Sequence, residues 1–294
     1  MTNGPSQRMM FSPSVMAAGL VTLAAACTAT NSVIVRTLTD MAVDPLEIAF
    51  FRNVFGLMFM LPWLVRNGVS GLRTDRPLTH IGRAVVNLAG MVLFFQAIAL
   101  IPVANVVAIN FTGPILTSVL AVFLLGEAMR ARRWGAVILG FLGALIIIRP
   151  GFTEVGAGVL SAVAAAVSWA VMQIMAKSLS HRESPQKIVT LNLLLMVPVS
   201  FIPVVFVWTT PSLFALALMA LHGVLGTVNQ VFIVRAFSLT DTTYVMPFDF
   251  TRLPFVALLA FFLFGEIPPF WTWIGGAVIF ASTLYLTHRE SRDQ

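Results

Sequence analysis

Charge is what this chain has least of. Asp, Glu, Lys and Arg make up only 10% of its 294 residues, hydrophobic residues make up 58%, and the mean hydropathy is +0.92. A soluble protein carries about a quarter charged residues. This chain has too few polar groups to cover its surface in water, so it belongs in lipid as one integrated membrane domain. Cysteine is almost missing as well. The single Cys27 excludes an intramolecular disulfide framework and a multi-cysteine metal site, and its small apolar neighbours suit a packing role. No Walker-type phosphate loop is present, so ATP does not drive the chain directly. The spans offer no facing pair of catalytic groups and no metal-ligand cluster. The reading is of a non-enzyme without cofactor or metal. Long polar loops are missing too, which leaves no room for a soluble domain and gives a scaffold or sensor little to signal with.

What is present is a series of apolar runs. A spanning helix needs about 20 mostly apolar residues, and ten segments fit: 14–36, 46–66, 79–100, 104–125, 133–149, 156–177, 188–208, 213–235, 243–264 and 268–287. Pro and Gly punctuate the short connections, as at Ile101-Pro102, Arg149-Pro150-Gly151 and Ile267-Pro268-Pro269. The net charge of +6 does not indicate a nucleic acid partner, because the basic residues gather in alternate loops. With a cytoplasmic N-terminus, the inner segments hold Arg8, Arg66, Arg73, Arg76, Arg83, Arg130, Arg132, Arg133, Lys177, Arg182, Lys187, Arg235, Arg289 and Arg292. The outer ones hold Arg36 and Arg149, while Arg52 and Arg252 lie inside helices. That bias predicts both termini in the cytoplasm of a bacterial-type inner membrane. The stretch Leu23-Ala24-Ala25-Ala26-Cys27 resembles a lipoprotein cleavage site, but its Leu is one place too far from the Cys and the apolar run continues past it, so the first span is expected to persist.

The second half repeats the first. Leu125-Gly126-Glu127 and Phe264-Gly265-Glu266 end matching runs at an offset of 139, and the same offset carries Asn110-Phe111-Thr112 onto Asp249-Phe250-Thr251 and Trp134 onto Trp273. Two five-helix repeats, 1–150 and 151–294, follow. Because five is odd, the second should be inverted relative to the first. The expected fold class is an all-α polytopic membrane protein with ten transmembrane helices in two inverted five-helix repeats. Such repeats mark secondary transporters that bind substrate near mid-bilayer where the copies meet.

The Gly-Glu endings, the ten spans and the paired halves together resemble the drug/metabolite transporter superfamily, EamA-type branch. The stretch from Asp44 to Asn53 looks like the start of that family's second helix, Ala97 to Ala104 like its turn between helices three and four, and Pro247 to Leu253 like its ninth-helix segment. The resemblance covers nearly the whole chain and implies transport of a small molecule. Family members export amino acids and related metabolites, and a few import. The chain lacks an acidic residue in the core of its first helix, unlike the short multidrug exporters of the superfamily, which argues against proton-coupled export of lipophilic cations.

Charged and polar groups within the spans are the candidates for substrate contact. Asp249 and Arg252, three apart, fall on one helix face. They either anchor the two charges of a zwitterion or neutralise each other to fix packing. Asn31, Asn110, Gln173 and Asn229 are the amides placed to face a cavity, although interhelical hydrogen bonds explain most such groups. Trp169 sits mid-span, away from the interfacial belt that suits Trp134, Trp208, Trp271 and Trp273. Trp169, Phe94 and Phe95 are candidates for an apolar wall, or for plain packing. Arg52 and His222 read first as structural, and Glu127 and Glu266 as caps on neighbouring helix N-termini. Pro114, Pro247 and Pro254 interrupt the fourth and ninth helices and are the hinge candidates. The expected function is export of an amino acid or similar zwitterion by alternating access, with uptake or exchange of a nucleoside-like or quaternary compound as the alternative. One chain suffices to enclose a pathway, so a monomer is compatible.

Overall fold

The computed structural model describes residues 12–100, 109–110, 112–128, 131–148, 156–264 and 270–290. Among them the long elements are all helices: α1 (Pro13–Asp40), α2 (Pro45–Asn67), α3 (Pro77–Leu100), α4 (Thr112–Leu125), α5 (Ala131–Ile148), α6 (Ala157–Ser180), α7 (Pro185–Val204), α8 (Leu213–Leu239), α9 (Arg252–Phe264) and α10 (Phe270–Glu290). Several begin on one local signature, a capping side chain followed by Pro. Ser12-Pro13, Asp44-Pro45 and Ser184-Pro185 open α1, α2 and α7, and the caps accept from the N–H groups of Val15, Leu46 and Lys187. Proline suits that first position because the N–H it lacks would have had no helical partner. α2 stops at Gly68, which adopts φ 63°, a conformation that costs glycine little.

Among the described residues, seven segments are long and apolar enough to cross a membrane: Pro13–Asp40, Pro45–Asn67, Pro77–Phe94, Ala157–Ser180, Pro185–Val204, Leu213–Leu239 and Thr242–Leu263. Shorter apolar helices cover Leu116–Leu125, Trp134–Gly143 and Trp273–Ser282. The outward faces are apolar, with Phe123 80% and Phe262 76% exposed. Buried contacts rely instead on small residues: Ala17, Ala24 and Ala25 on α1 and Ala162, Ala165 and Ala166 on α6 are fully covered. Small side chains let helices approach closely where lipid gives no hydrophobic drive to associate.

α1 packs along α8 and α3 along α6; α5 lies on α10, and α2 lies on α7 and α8. α4 contacts α6 as α1 contacts α9. Exchanging the first five helices for the last five therefore maps α1 on α8 to α6 on α3, and α4 on α6 to α9 on α1.

The ninth span departs from the continuous helix expected over 243–264. A short helical turn, Thr242–Val245, leads into a 3-10 segment, Met246–Thr251, before α9 starts. Pro247 has no N–H to give to an α-helical bond, and the tighter 3-10 winding carries the chain past it. Phe250 is fully buried. A Cβ on Gly140 of α5 would lie 2.5 Å from the Phe250 ring, so the glycine makes room for the phenyl group. Two other ends differ from expectation. α7 stops at Val204, one residue after Pro203, and leaves Trp208 beyond the helix, while α8 continues to Leu239.

Candidate substrate cavity

Four helices converge on a polar cavity, reached from the second turn of α3 and from positions nearer the middle of α8. α2 contributes Arg52 and Asn53, α3 Arg83 and Asn87, α7 Val189, Asn192 and Leu193, and α8 Gly226, Thr227 and Gln230. The spacing explains the convergence: Arg83 and Asn87 are one turn apart on α3, as are Gly226 and Gln230 on α8. Glycines bring α2 and α8 together. A Cβ on Gly223 would lie 2.8 Å from the Arg52 carbonyl oxygen, and one on Gly226 would lie 2.9 Å from Arg52 Nε. The Arg52 side chain thus crosses the bare backbone of α8. In this conformation the space holds about one water-sized molecule, so a larger solute needs the helices to part.

The lining is rich in donors and short of anions. Arg83 is 1% exposed, and its Nη2 donates to Gln230 Oε1 at 3.1 Å. Its Nε and Nη1 have no hydrogen-bond partner among the described residues. Arg52 likewise makes no hydrogen bond or ion pair among the described residues. Asn87 and Asn192 both direct their amide nitrogens at Met196 Sδ (3.2 Å each), a weak acceptor. The Oδ1 atoms of Asn53 and Asn192 are buried without a donor. Among the described residues no carboxylate lines the cavity.

The residues singled out from sequence fall elsewhere. Asn31 accepts from His222 Nδ1 at 2.8 Å, which joins α1 to α8 and satisfies the histidine. Asn229 Nδ2 donates to Ala24 O and Thr28 Oγ1 of α1 (2.7 and 2.8 Å). Phe94 and Trp169 pack on each other with ring centroids 5.0 Å apart, and Trp169 also covers Gly90 of α3. Gln173 Oε1 is buried on α6 without a partner among the described residues, and Asn110 is buried. Asp249 and Arg252 pair at 3.8 Å, each about one-fifth exposed, at the junction of the 3-10 segment and α9. None of these eight lines the polar cavity. The side chains of Phe95 and Pro114 lie outside the described residues, as does Glu266. Pro247 lies in the 3-10 segment of the ninth span, and Pro254 in the first turn of α9.

Arg83, counted from sequence among the loop charges, is six residues inside α3, and Arg52, read first as structural, is its neighbour in the cavity. A usable signal was two arginines inside apolar runs, each followed by an asparagine one or four places on, with no acidic residue to share the face.

Several other buried charges have partners, and Glu183, Glu127 and Lys177 gather near the C-terminal end of α6. Glu183 accepts from Thr74 Oγ1 (2.5 Å), meets His80 Nε2 (2.7 Å) and lies 3.2 Å from Lys187 Nζ. Burial alone would raise its carboxyl, but the hydrogen bonds from Thr74, His80 and Lys187 outweigh that and hold it below the usual carboxylate range. Glu127 accepts from the N–H groups of Thr242 (3.0 Å) and Thr243 (2.9 Å), a cap on the helical turn that opens the ninth span. Lys177 Nζ, 3.9 Å from Glu127, donates to Phe237 O and Thr240 O (2.7 and 2.5 Å). Glu47 holds Thr209 through its backbone N–H and its hydroxyl.

An all-helical body with apolar outer faces around a buried polar chamber is the arrangement of a multi-pass membrane transporter. The EamA-like transporter family model matches residues 15–149 and again 156–287, and the chain belongs to that family. It is 31% identical to the S-adenosylmethionine uptake transporter of Rickettsia prowazekii over 84% of each chain. It is also 31% identical to the riboflavin transporter of Rhizobium johnstonii, over 86% of this chain and 84% of that one. The pseudopaline exporter of Pseudomonas aeruginosa is 25% identical over 83% of this chain and 86% of its own. A crystal structure matches with a TM-score of 0.74 over 96% of this chain and 97% of the other at 18% identity, a likeness of fold alone. These relatives are transporters rather than enzymes, and they are bacterial. The protein is accordingly a membrane transporter for a small molecule.

Proposed function

We propose that the protein moves an amino acid or an amino-acid-bearing metabolite across the inner membrane by alternating access, one five-helix half rocking against an inverted second half. The observation that carries this reading is the polar cavity, whose lining comes from α2 and α3 of one half and α7 and α8 of the other. A site shared between halves can be opened to either side by their relative motion. The double family match, at 15–149 and 156–287, and the exchange of helix contacts between halves support the repeat. Pro247 in the 3-10 segment and Pro254 at the start of α9 supply the bend, and Pro114, one place from the repeat equivalent of Pro254, its counterpart.

The relatives' names favour uptake over the export expected from sequence, because an uptake transporter is more similar to this chain than the exporter is. S-adenosylmethionine joins an amino-acid end to a nucleoside end, so the leading expectation and its nucleoside-like alternative meet in one compound class. The test is flux in proteoliposomes, with labelled S-adenosylmethionine, methionine and riboflavin offered separately. Accumulation of S-adenosylmethionine or methionine above protein-free vesicles supports the reading. Movement of riboflavin alone would replace the substrate class, and no movement of any of the three would sink the amino-acid reading.

A further inference from the structure

We propose that Arg52 and Arg83 form the subsite for the carboxylate of a zwitterionic substrate, while the carbonyl oxygens of Asn53 and Asn192 take its ammonium group. The inference deepens the transport reading and rests on it. A guanidinium within the membrane region is costly unless something compensates it. This fold compensates nearly every other charge it buries: Glu183, Lys177 and Glu127 all have partners at hydrogen-bond or ion-pair distance, and Asp249 and Arg252 have each other. Arg83 is an exception, with Nε and Nη1 unpaired at 1% exposure. Arg52 on the facing helix, partly buried, also makes no hydrogen bond or ion pair among the described residues. Their planar donor forks match a carboxylate, which can accept two parallel N–H bonds. The orphan acceptors in the same cavity, Asn53 Oδ1 and Asn192 Oδ1, would be idle against a simple anion but suit an ammonium donor. The two sets together describe the head of an α-amino acid and leave the rest of the solute to the remainder of the pathway.

The experiment reads thermal stabilisation of the detergent-purified full chain, with S-adenosylmethionine, methionine, methionine amide, N-acetylmethionine and succinate as probes. S-adenosylmethionine or methionine should stabilise the wild type, and the two blocked methionines should require at least about tenfold higher concentration. Arg83→Gln should raise the half-saturating concentration of the stabilising zwitterion by about tenfold or more, the scale of a lost charged hydrogen bond. Arg83→Lys, which keeps the charge and loses the fork, should recover part of it. If Arg83→Gln does not fold, the wild-type probe series decides alone. Equal stabilisation by methionine amide, stabilisation by succinate alone, or none by any probe carrying a carboxylate overturns the subsite. Flux separates this from the transport reading. Zwitterion binding without flux in proteoliposomes removes transport and leaves the subsite; flux in which the amide moves as fast as methionine removes the subsite and leaves transport.

Discussion

Glu183 and Arg83 are both buried charges, with side chains 8% and 1% exposed, yet their surroundings are opposite. Glu183, in the loop after α6, is met by Thr74, His80 and Lys187. Arg83, inside α3, is met by Gln230 alone and shares its cavity with a second cation. The first region fastens the α2–α3 and α6–α7 connections to each other across the two halves. The second leaves charge uncompensated where α2, α3, α7 and α8 meet. A fold that pairs charges so thoroughly at one level and not at another separates architecture from function: the paired groups hold the bundle, and the unpaired ones await a charge from outside.

The sharpest way to break that contrast is to remove one paired charge, the Lys177 that meets Glu127, and the unpaired Arg83. Lys177→Ala strips Glu127 of its cation and leaves Phe237 O and Thr240 O without their donor, so it should cost about 3 kcal/mol. Arg83→Met removes a charge with little to lose and should leave the melting temperature unchanged or raised while abolishing zwitterion binding. Melting curves of both variants in one detergent check this, and a Lys177→Ala protein as stable as wild type would undo the division. Next in size is Gly223→Ala, whose new methyl group would meet Arg52 O and Phe55 Cβ at 2.8 Å each. Backbone cannot swing aside as a side chain can, and overpacking of this kind costs about 1–3 kcal/mol. The same curves, together with zwitterion affinity, should show both falling.

A third prediction uses acidity. The Glu183 carboxyl is held below the usual carboxylate range, so its contribution is complete above the unfolded value and fades as pH falls through the folded one. Wild type should lose stability more steeply than Glu183→Gln between about pH 5 and about pH 3, measured by melting temperature at each pH. The smallest effect is expected at the ninth span. Asp249 and Arg252 are 3.8 Å apart and partly exposed, a geometry worth about 0–1 kcal/mol. Asp249→Asn should leave both the melting temperature and the half-saturating concentration of S-adenosylmethionine near wild type. A loss of affinity there as large as that of Arg83→Gln would move the substrate from α2 and α3 to the ninth span.

Much of the fold was legible because lipid imposes a simple rule. Apolar runs long enough to span must be helices, and Ser12-Pro13, Asp44-Pro45 and Ser184-Pro185 announce three starts within a few residues. Glu127 was recognisable as a helix cap from its place after a Gly at the end of a span. The cavity was harder to see. Arg83 lies six residues into α3, within the uncertainty of a helix boundary drawn from composition, and so passed for a loop charge. Asn31 and Asn229 look as suitable for a cavity as Asn53 and Asn192. Only the contacts show that the first two are spent on His222 and on α1 backbone and hydroxyl groups, while the second two keep free acceptors.

Composition and run length determined by themselves that this is a multi-helix membrane protein, because burial in lipid and helix length depend on local sequence alone. Which polar groups face one another depends on helix rotation and on close approaches such as Gly56, Gly223 and Gly226 permit between α2 and α8. These are contacts between residues far apart in the chain, where a partner satisfied or missing is a property of the packed bundle. Tertiary structure therefore decided that Arg52 and Arg83 share one chamber, with no acid among the described residues lining it.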